Sequence, residues 1–167
     1  AGYGQEASHD GLVQAGTGKR TKFPIGTVYL ATLHVPQDLK GKDGKEIVDA
    51  DVPMSVVLQV DTRMLTRERF VDAIREGFQK AKNSGFATDK VETFLNFFSK
   101  VEIHKGDIVY LDYSPATGLA VAMKTSDKEK QELGTVAGLP FKKALYAIWL
   151  GPDPVQEGLK KGMLGQK

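Results

Sequence analysis

The sequence has 167 residues, 41% hydrophobic and 26% charged, a balance that supports one compact domain with a buried core. Its 23 basic and 21 acidic residues are interspersed, so no dense basic block predicts a nucleic-acid interface. The lack of cysteine excludes disulfides, thiolate nucleophiles and cysteine-ligated metal sites. The apolar stretches fall short of the ~20 residues that a membrane-spanning helix needs.

The N-terminal part of the chain is predicted to consist mainly of strands. Residues 1–10 are rich in glycine and polar types and predict a flexible arm, and residues 11–167 a single domain. A short first strand is predicted at 12–16, followed by the two strands of a hairpin at 18–23 and 27–35. The Lys-, Asp- and Gly-rich stretch that follows predicts an exposed connection with a short helix at 46–50, before an alternating strand at 54–61.

Two helices are predicted next, joined by a short glycine-containing turn. Thr66 is placed to cap the first helix and Thr88 to cap the second. The Asn-Ser-Gly sequence at 83–85 ends the first helix. Both helices carry an apolar stripe at helical spacing: Phe70, Ile74, Phe78 and Ala81 in the first, and Val91, Phe94, Leu95 and Phe98 in the second.

The last part of the chain returns to strands and ends in helices. Residues 107–113 and 119–124 predict a hairpin, and 132–138 a further short strand. Pro140 suits the first turn of a closing helix, and 155–163 predict a last amphipathic turn or two. This succession of elements predicts an α+β fold, with a mainly antiparallel sheet covered by helices on one face.

The N-terminal hairpin holds the most informative residues. If its connection is the four residues 23–26, Lys22 pairs with Thr27, and Arg20 lies opposite Tyr29 on one face of the sheet. A guanidinium and a phenol that point together into an apolar space suit the binding of a carboxylate or enolate oxygen. A three-residue connection would put the two side chains on opposite faces. The alternative is a structural role, in which the arginine is solvated and the tyrosine ring is packed.

No other constellation predicts a catalytic or metal site. His9, His34 and His104 are too dispersed for a local metal motif. The sequence lacks the Gly-x-Ser-x-Gly motif of a nucleophile elbow, and its acidic residues predict no close carboxylate pair. We therefore expect no metal, no cofactor and no catalytic residue, which weakens every enzyme hypothesis.

Several segments carry a resemblance to a known family. They are Gly18-Lys19-Arg20, the strand 27–35, the helix 70–78, the hairpin Ser114-Pro115-Ala116-Thr117-Gly118, and residues 144–151 with the tail that follows. In order and spacing, over roughly residues 11–165, they resemble the chalcone isomerase fold, in its bacterial chalcone-isomerase-like branch. The resemblance implies an open-faced β-sandwich: a large antiparallel sheet, a layer of α-helices, and a ligand cleft between them.

The resemblance also separates members that catalyse from members that bind. True chalcone isomerases use the strand arginine with a threonine, a tyrosine, an asparagine and a polar residue of the C-terminal helix. Of these positions only Arg20 keeps the family residue, because the others hold Tyr29, Phe70, Gly77 and Ile148. Phenylalanine, glycine and isoleucine side chains form no hydrogen bond to a ketone or a phenol. The resemblance thus implies that this chain is not a true chalcone isomerase.

The combination of Arg20 and Tyr29 resembles the plant fatty-acid-binding members of the same fold, where such a pair holds a carboxylate. The predicted function is non-catalytic binding of a fatty acid or similar apolar carboxylate, without a nucleic-acid partner or a membrane span. Two alternatives stay open: a lyase or isomerase in which Arg20 stabilises an enolate-like oxygen, and an interaction protein with a vestigial cleft. The predicted ligand-binding residues are Arg20, Tyr29, Leu33, Phe70, Ile74, Gly77, Phe94, Phe98 and Ile148.

The compartment and the oligomeric state are left open by the sequence. The chain begins at Ala1 without an initiator methionine, so either a leader was removed or the sequence was trimmed. A removed leader favours the bacterial periplasm, and otherwise the cytoplasm is expected.

Overall fold

The fold is built on a six-stranded antiparallel sheet with the order β1-β2-β3-β4-β5-β6. A computed structural model describes residues 11–166, so the predicted arm at 1–10 lies outside the described residues. Each strand pairs with its neighbour along the chain. The strands are Leu12–Lys22 (β1), Gly26–Pro36 (β2), Met54–Val60 (β3), Ile108–Ser114 (β4), Gly118–Lys124 (β5) and Gln131–Val136 (β6).

A layer of helices covers one face of the sheet. The helices are Gly44–Asp49 (α1), Arg67–Asn83 (α2), Val91–Asn96 (α3), Leu139–Leu150 (α4) and Glu157–Met163 (α5), with a 3-10 turn at Gln37–Leu39. Helix α4 is the central one, because every residue from Ala144 to Leu150 is at most 1% exposed. Residues 144–150 are apolar on all sides, which suits a helical segment that is buried on all sides. This architecture confirms the predicted α+β fold.

Strand β1 is continuous, whereas the sequence pattern predicts two strands at 12–16 and 18–23. A register shift between Gln14 and Gly16 leaves Ala15 as an extra residue opposite β2. A bulge of this kind lets a strand continue through a break in its pairing. The prediction of two separate strands is therefore wrong.

The connection between β1 and β2 is one residue shorter than predicted. Lys22 pairs with Gly26, so the predicted pairing of Lys22 with Thr27 is wrong. Gly26 has a φ of 88°, a backbone conformation that glycine adopts without the steric cost of a side chain. The turn can therefore close on three residues, 23–25.

A second bulge then restores the predicted pairing of Arg20 with Tyr29. A three-residue turn by itself would place Arg20 and Tyr29 on opposite faces. The register shifts again beside Arg20 and leaves Val28 as an extra residue in β2. Because this extra residue offsets the shorter turn, Arg20 pairs directly with Tyr29, and that predicted pair is confirmed.

The two helices after β3 begin in different ways. Thr66 caps α2 as predicted, since its Oγ1 accepts a hydrogen bond of 3.2 Å from the Arg69 amide. Helix α3 begins at Val91, and its N-cap is Lys90 rather than Thr88, which corrects the prediction. The Thr88 hydroxyl accepts a 3.1 Å bond from the Lys90 amide. It therefore stabilises the turn before α3 instead of the helix end.

The core lies between the sheet and the helices. The inward face that alternation predicts for β2 is fully buried, with Ala31, Leu33 and Val35 each 0% exposed. Five phenylalanine rings pack together there, with centroid distances between 5.2 and 5.9 Å. They come from α2, from α3 and the residues that follow it, and from α4. The members of this aromatic cluster are Phe70, Phe78, Phe94, Phe98 and Phe141.

Helix α5 packs with its backbone directly against β1. A Cβ atom at Gly18 would lie 2.3 Å from the carbonyl oxygen of Leu159, and one at Gly162 would lie 2.6 Å from the Gly18 Cα. Only glycine permits so close an approach. Helix α5 therefore covers β1 on the side of Gly18 away from the turn and leaves the Arg20 end of the hairpin to face α2 and α4.

Candidate functional site

A cleft of about 640 Å³ opens between the β1–β2 hairpin and α2. The loop from β3 to α2 forms part of its mouth, and Ile148 of α4 and Val155 complete its walls. A volume of this size is typical of small-molecule sites, which span roughly 300–1,000 Å³. The cleft is the candidate functional site.

The interior of the cleft is apolar. Leu65, Phe70, Ile74 and Ile148 line it and are each at most 8% exposed. Phe70 and Ile74 lie one turn apart on α2, so part of the apolar stripe of that helix faces the cleft. The ring of Phe70 also meets the ring of Phe98 edge-on at 5.2 Å. The aromatic cluster therefore supports this wall from behind.

Gly77 lets α2 approach α4 closely at the cleft wall. A Cβ atom at this position would lie 2.7 Å from Cγ2 of Ile148, closer than carbon atoms pack. Gly77 and Ile148 both line the cleft. The absence of a side chain at Gly77 therefore has a packing cause in this fold, and it presents backbone to the cleft.

Arg20 is half-buried and is held at the cleft by its neighbours. Its Nη1 donates to the carbonyl oxygen of Thr21 at 3.0 Å and to Oε1 of Gln156 at 3.3 Å. The Gln156 amide also bonds to Thr21, accepting from its backbone N–H at 2.9 Å and donating to its Oγ1 at 2.7 Å. Gln156 thus fastens the start of α5 to β1 and orients the guanidinium.

Tyr29 is buried beside Arg20 and is oriented by α4. The indole Nε1 of Trp149 donates a 2.9 Å hydrogen bond to the Tyr29 hydroxyl oxygen. Burial raises the pKa of Tyr29, and this effect exceeds the lowering by the Trp149 hydrogen bond and by the nearby charge of Arg20. The phenol is therefore protonated at neutral pH and acts as a hydrogen-bond donor.

Basic side chains outnumber acidic ones around the cleft. Besides Arg20, the basic residues that line it are Lys22, Arg69 and Lys80, and the acidic ones are Asp72 and Glu76. Asp72 accepts a 3.3 Å bond from Arg75, and both acidic side chains are exposed. The excess of positive charge favours an anionic ligand.

A second, more open depression of about 820 Å³ lies between α2 and α3. Its charged side chains neutralise one another: Arg75 donates to Glu92 at 2.9 and 3.1 Å, and Arg67 pairs with Glu68 at 3.4 Å. These groups are largely solvated and offer no enclosed apolar surface. The hairpin cleft is therefore the better candidate.

The structure brings most of the predicted site residues together. Those that line the cleft are Arg20, Tyr29, Phe70, Ile74, Gly77 and Ile148.

The other three predicted site residues are not among the lining residues and lie in the core. Leu33 pairs with Gly16 near α5, away from the mouth, and Phe94 and Phe98 pack behind Phe70 in the aromatic cluster. Their apolar patterns indicate burial but do not distinguish a cleft wall from a core.

Trp149 and Gln156 hold the polar side chains of the site in place, and the sequence revealed neither of them. Trp149 is the single tryptophan of the chain, yet nothing in the sequence links it to Tyr29, which lies 120 residues earlier. Gln156 meets Thr21 across 135 residues. Contacts of this separation leave no local pattern, so only the tertiary structure shows them.

Within residues 11–166, no group of three or more acidic or histidine side chains is placed to hold a metal ion. None of the helices in that part of the chain combines the length and the hydropathy needed to cross a membrane.

Comparison with known proteins places this architecture in a family. The sequence matches the family described as chalcone isomerase-like over residues 5–165. A crystal structure of a fatty-acid binding protein from Arabidopsis thaliana is similar, with a TM-score of 0.74 and 19% sequence identity over 95% of this chain and 89% of that chain. At this identity the likeness shows a shared fold. No match was found among the curated proteins. Because the family match spans nearly the whole sequence, the chain belongs to the chalcone isomerase-like family.

Proposed function

We propose that this protein binds a small apolar carboxylate, a fatty acid in the simplest case, in the hairpin cleft and catalyses no reaction on it. The observation that carries the proposal is the direct pairing of Arg20 with Tyr29 at the edge of an otherwise apolar cleft. The cation and the neutral donor match the carboxylate of such a ligand, and the apolar walls match its hydrocarbon part.

The guanidinium of Arg20 keeps donors for a carboxylate. Both of its hydrogen bonds within residues 11–166 come from Nη1, one to Thr21 and one to Gln156. The Nε and Nη2 groups therefore present a planar fork of two parallel N–H bonds, the geometry that binds a carboxylate bidentately.

The Tyr29 hydroxyl supplies a third donor. Its oxygen accepts from Trp149, and within the described part of the chain Trp149 is its hydrogen-bond partner. The O–H proton is therefore directed to a ligand oxygen. Because Trp149 is itself fully buried, the phenol is oriented before a ligand binds, which lowers the entropic cost of binding.

The acyl chain would lie along the apolar walls. Phe70, Ile74 and Ile148 offer buried hydrocarbon surface, and Gly77 presents backbone closely packed against Ile148. Burying apolar surface contributes about 25 cal/mol per Å². The structural likeness to a fatty-acid binding protein of the same fold is consistent with this ligand class.

Catalysis finds less support in the cleft. An enzyme that uses Arg20 to stabilise an enolate-like oxygen also needs a general base within reach of the substrate. The carboxylates lining the cleft, Asp72 and Glu76, are exposed at its edge, and Asp72 is paired with Arg75. We therefore favour binding over a lyase or isomerase function. An interaction protein with a vestigial cleft is the remaining alternative.

Native mass spectrometry of the gently purified protein tests the proposal directly, because a retained fatty acid adds its mass to the chain. The delipidated protein is then titrated with hexadecanoate and, as the matched control, with hexadecanol, which has the same chain but no carboxylate. We expect hexadecanoate to bind at least tenfold more tightly, since charge-assisted hydrogen bonds contribute ~1.5–3 kcal/mol. Equal affinities, or binding of neither compound, would refute a carboxylate site.

A further inference from the structure

We propose that the mouth of the cleft docks onto an anionic lipid bilayer through residues 22–25 and 61–65, here called the lip. The lip consists of the tip of the β1–β2 hairpin and the first residues of the loop between β3 and α2. Docking would let an apolar ligand pass between bilayer and cleft, so the proposal extends the proposed function to the source of the ligand.

The lip exposes large hydrophobic side chains that the rest of the described chain buries. Phe23 is 95% exposed and Met64 is 53% exposed, and within residues 11–166 these are the large hydrophobic residues that stand in solvent. Both also line the mouth of the cleft. Exposed apolar side chains that are scattered singly need no explanation, whereas a group of them at one cavity marks an interaction site.

The two hydrophobic tips are presented by ordered backbone. Phe23 lies in the three-residue turn between two paired strands. The Met64 loop is fixed by the Arg69 Nη1, which donates to the Met64 carbonyl at 2.9 Å, and by the Thr62 hydroxyl, which accepts from the Met64 amide at 3.1 Å. Because the loops are already held in place, little conformational entropy is lost when the two side chains enter the bilayer.

Basic side chains flank each hydrophobic tip. Lys22 precedes Phe23, Arg63 precedes Met64, and Arg69 contacts the Met64 carbonyl. All three cations are exposed. Lys22 and Arg63 belong to the lip, where Asp61 is the acidic residue; Arg69 adjoins the lip, and the exposed acids Asp72 and Glu76 follow further along α2. The chain as a whole is nearly balanced, with 23 basic and 21 acidic residues. The lip therefore has a local positive charge that the composition does not impose.

An anionic bilayer matches this pattern better than a protein partner does. Aromatic and apolar tips that enter the headgroup region while lysine and arginine remain at the lipid phosphates are typical of interfacial membrane contacts. A protein interface of useful affinity needs a larger continuous area than two side chains supply. The cleft also opens between the tips, so an acyl chain could enter it without crossing bulk water.

Sedimentation with vesicles tests docking without any fatty acid present. The delipidated protein is mixed with vesicles of phosphatidylcholine and phosphatidylglycerol, and separately with vesicles of phosphatidylcholine alone. We expect binding to the anionic vesicles that added salt weakens. Phe23→Ser should weaken it about tenfold through lost apolar contact. Lys22→Gln should weaken it about fivefold through lost attraction to the surface.

Two control variants separate docking from ligand binding. Lys42→Gln removes an exposed charge beyond the far end of β2 and should leave vesicle binding unchanged. Tyr29→Phe should lower the affinity for hexadecanoate in solution yet leave vesicle binding intact, because Tyr29 is buried. Failure of docking is thereby distinguished from failure of the ligand site.

Three outcomes would overturn the proposal. The first is no sedimentation of the wild-type protein with anionic vesicles. The second is equal binding to both kinds of vesicle, which would remove the role of charge. The third is equal behaviour of Phe23→Ser, Lys22→Gln and Lys42→Gln. A concentration-dependent dimer that Phe23→Ser dissociates, in the absence of vesicle binding, would assign the lip to a second copy of the chain instead.

Discussion

The indole N–H of Trp149 donates a 2.9 Å hydrogen bond to the hydroxyl oxygen of Tyr29. This bond joins the buried central helix α4 to strand β2 at the base of the candidate site. It occupies the acceptor side of the phenol and leaves the O–H proton available as a donor. Trp149 is therefore a positioning residue for Tyr29, which it orients without lining the cleft.

Replacing Trp149 by phenylalanine should weaken ligand binding through Tyr29. Without the indole donor, the phenol can rotate and accept other partners, so we expect Trp149→Phe to lower the affinity for hexadecanoate several-fold. Tyr29→Phe, which removes a neutral donor of ~1 kcal/mol, should have a similar effect. Isothermal titration of the two single variants and the double variant gives the coupling free energy between Trp149 and Tyr29 in ligand binding. Fully additive losses would show that Trp149 does not act through Tyr29.

Arg20 is expected to be the principal anchor of the ligand. Arg20→Ala should weaken hexadecanoate binding about tenfold or more, because charge-assisted hydrogen bonds contribute ~1.5–3 kcal/mol each. Arg20→Lys should restore only part of the affinity, since an ammonium group lacks the planar fork. Lys19→Ala is the matched control, because Lys19 is the exposed neighbour of Arg20 on β1.

The melting temperature distinguishes an anchor from a structural arginine. Arg20 makes two hydrogen bonds within the protein, to Thr21 and Gln156, so a modest loss of stability is compatible with an anchor. A sharp fall in the melting temperature of Arg20→Ala with unchanged ligand affinity would assign Arg20 to the fold alone.

Gly77→Ala should destabilise the protein by about 1–3 kcal/mol, the usual cost of overpacking. The new Cβ would lie 2.7 Å from Cγ2 of Ile148, a branched side chain held in the core. Adding Ile148→Ala removes the opposing methyl groups, so the double variant should be more stable than the sum of the two single losses predicts. Denaturant unfolding measures all three.

Gly158→Ala is the control for the Gly77 experiment. Gly158 lies in α5, and a Cβ atom there would meet no atom within 4 Å. Alanine has the higher helix propensity, so this variant should be neutral or more stable by up to ~1 kcal/mol. Equal destabilisation at both positions would show that the cost at Gly77 does not come from Ile148.

Lys142 is a fully buried lysine at the C-terminal end of α1. Its Nζ donates to the carbonyl oxygens of Ile47, Val48 and Ala50 at 2.7, 2.9 and 2.7 Å. Lys142→Met leaves these acceptors without their donor and should cost at least about 2 kcal/mol of unfolding free energy. Lys143→Met, which removes a partly exposed 3.6 Å ion pair with Asp49, should cost under ~1 kcal/mol.

Lys142 should also make stability depend on pH. Burial lowers its pKa from 10.5 to about 7, against the opposite influence of Asp49 and Asp51. Between these values the unfolded chain binds the proton and the folded chain does not, so the unfolding free energy rises with pH. For one proton the slope is at most ~1.4 kcal/mol per pH unit.

The pH profile should lose this rise in Lys142→Met. The measurement should be made below pH 10. Burial also raises the pKa of Tyr113 from 10.0 to about 12, and between these values the unfolded chain loses a proton that the folded chain keeps, so the unfolding free energy falls with pH. Identical profiles for wild type and Lys142→Met would show that the ammonium stays charged on its three carbonyl partners.

The cleft should not accelerate chalcone cyclisation. Phe70, Gly77 and Ile148 line it and provide no hydrogen bonds for a ketone or a phenol. We expect the spectrophotometric rate with protein to equal the spontaneous rate. Cyclisation above that rate, abolished by Arg20→Ala, would overturn the proposal of binding without catalysis.

The sequence by itself determined most of the elements, though not the continuity of β1, because hydrophobic periodicity and turn residues are local signals. The alternation in β2 predicted its buried face, and Thr66 predicted the start of α2. The pairing of Arg20 with Tyr29 is an instructive case. The predicted register is correct at that pair, but the predicted turn is one residue too long, and the bulge at Val28 compensates. Bulges depend on the strain between paired strands, which no single strand encodes.

The tertiary structure decided which buried residues face the cleft and which face the core. Leu33, Phe94 and Phe98 carry the same apolar signal as Phe70 and Ile74, yet only the latter two line the cleft. Helical spacing gives the side of a helix, whereas the partner on that side depends on how the layers pack. The bond from Trp149 to Tyr29 spans 120 residues. Contacts between residues so far apart form only when the layers meet, so the sequence supplied the proposed anchor and the tertiary structure supplied the contacts that hold it.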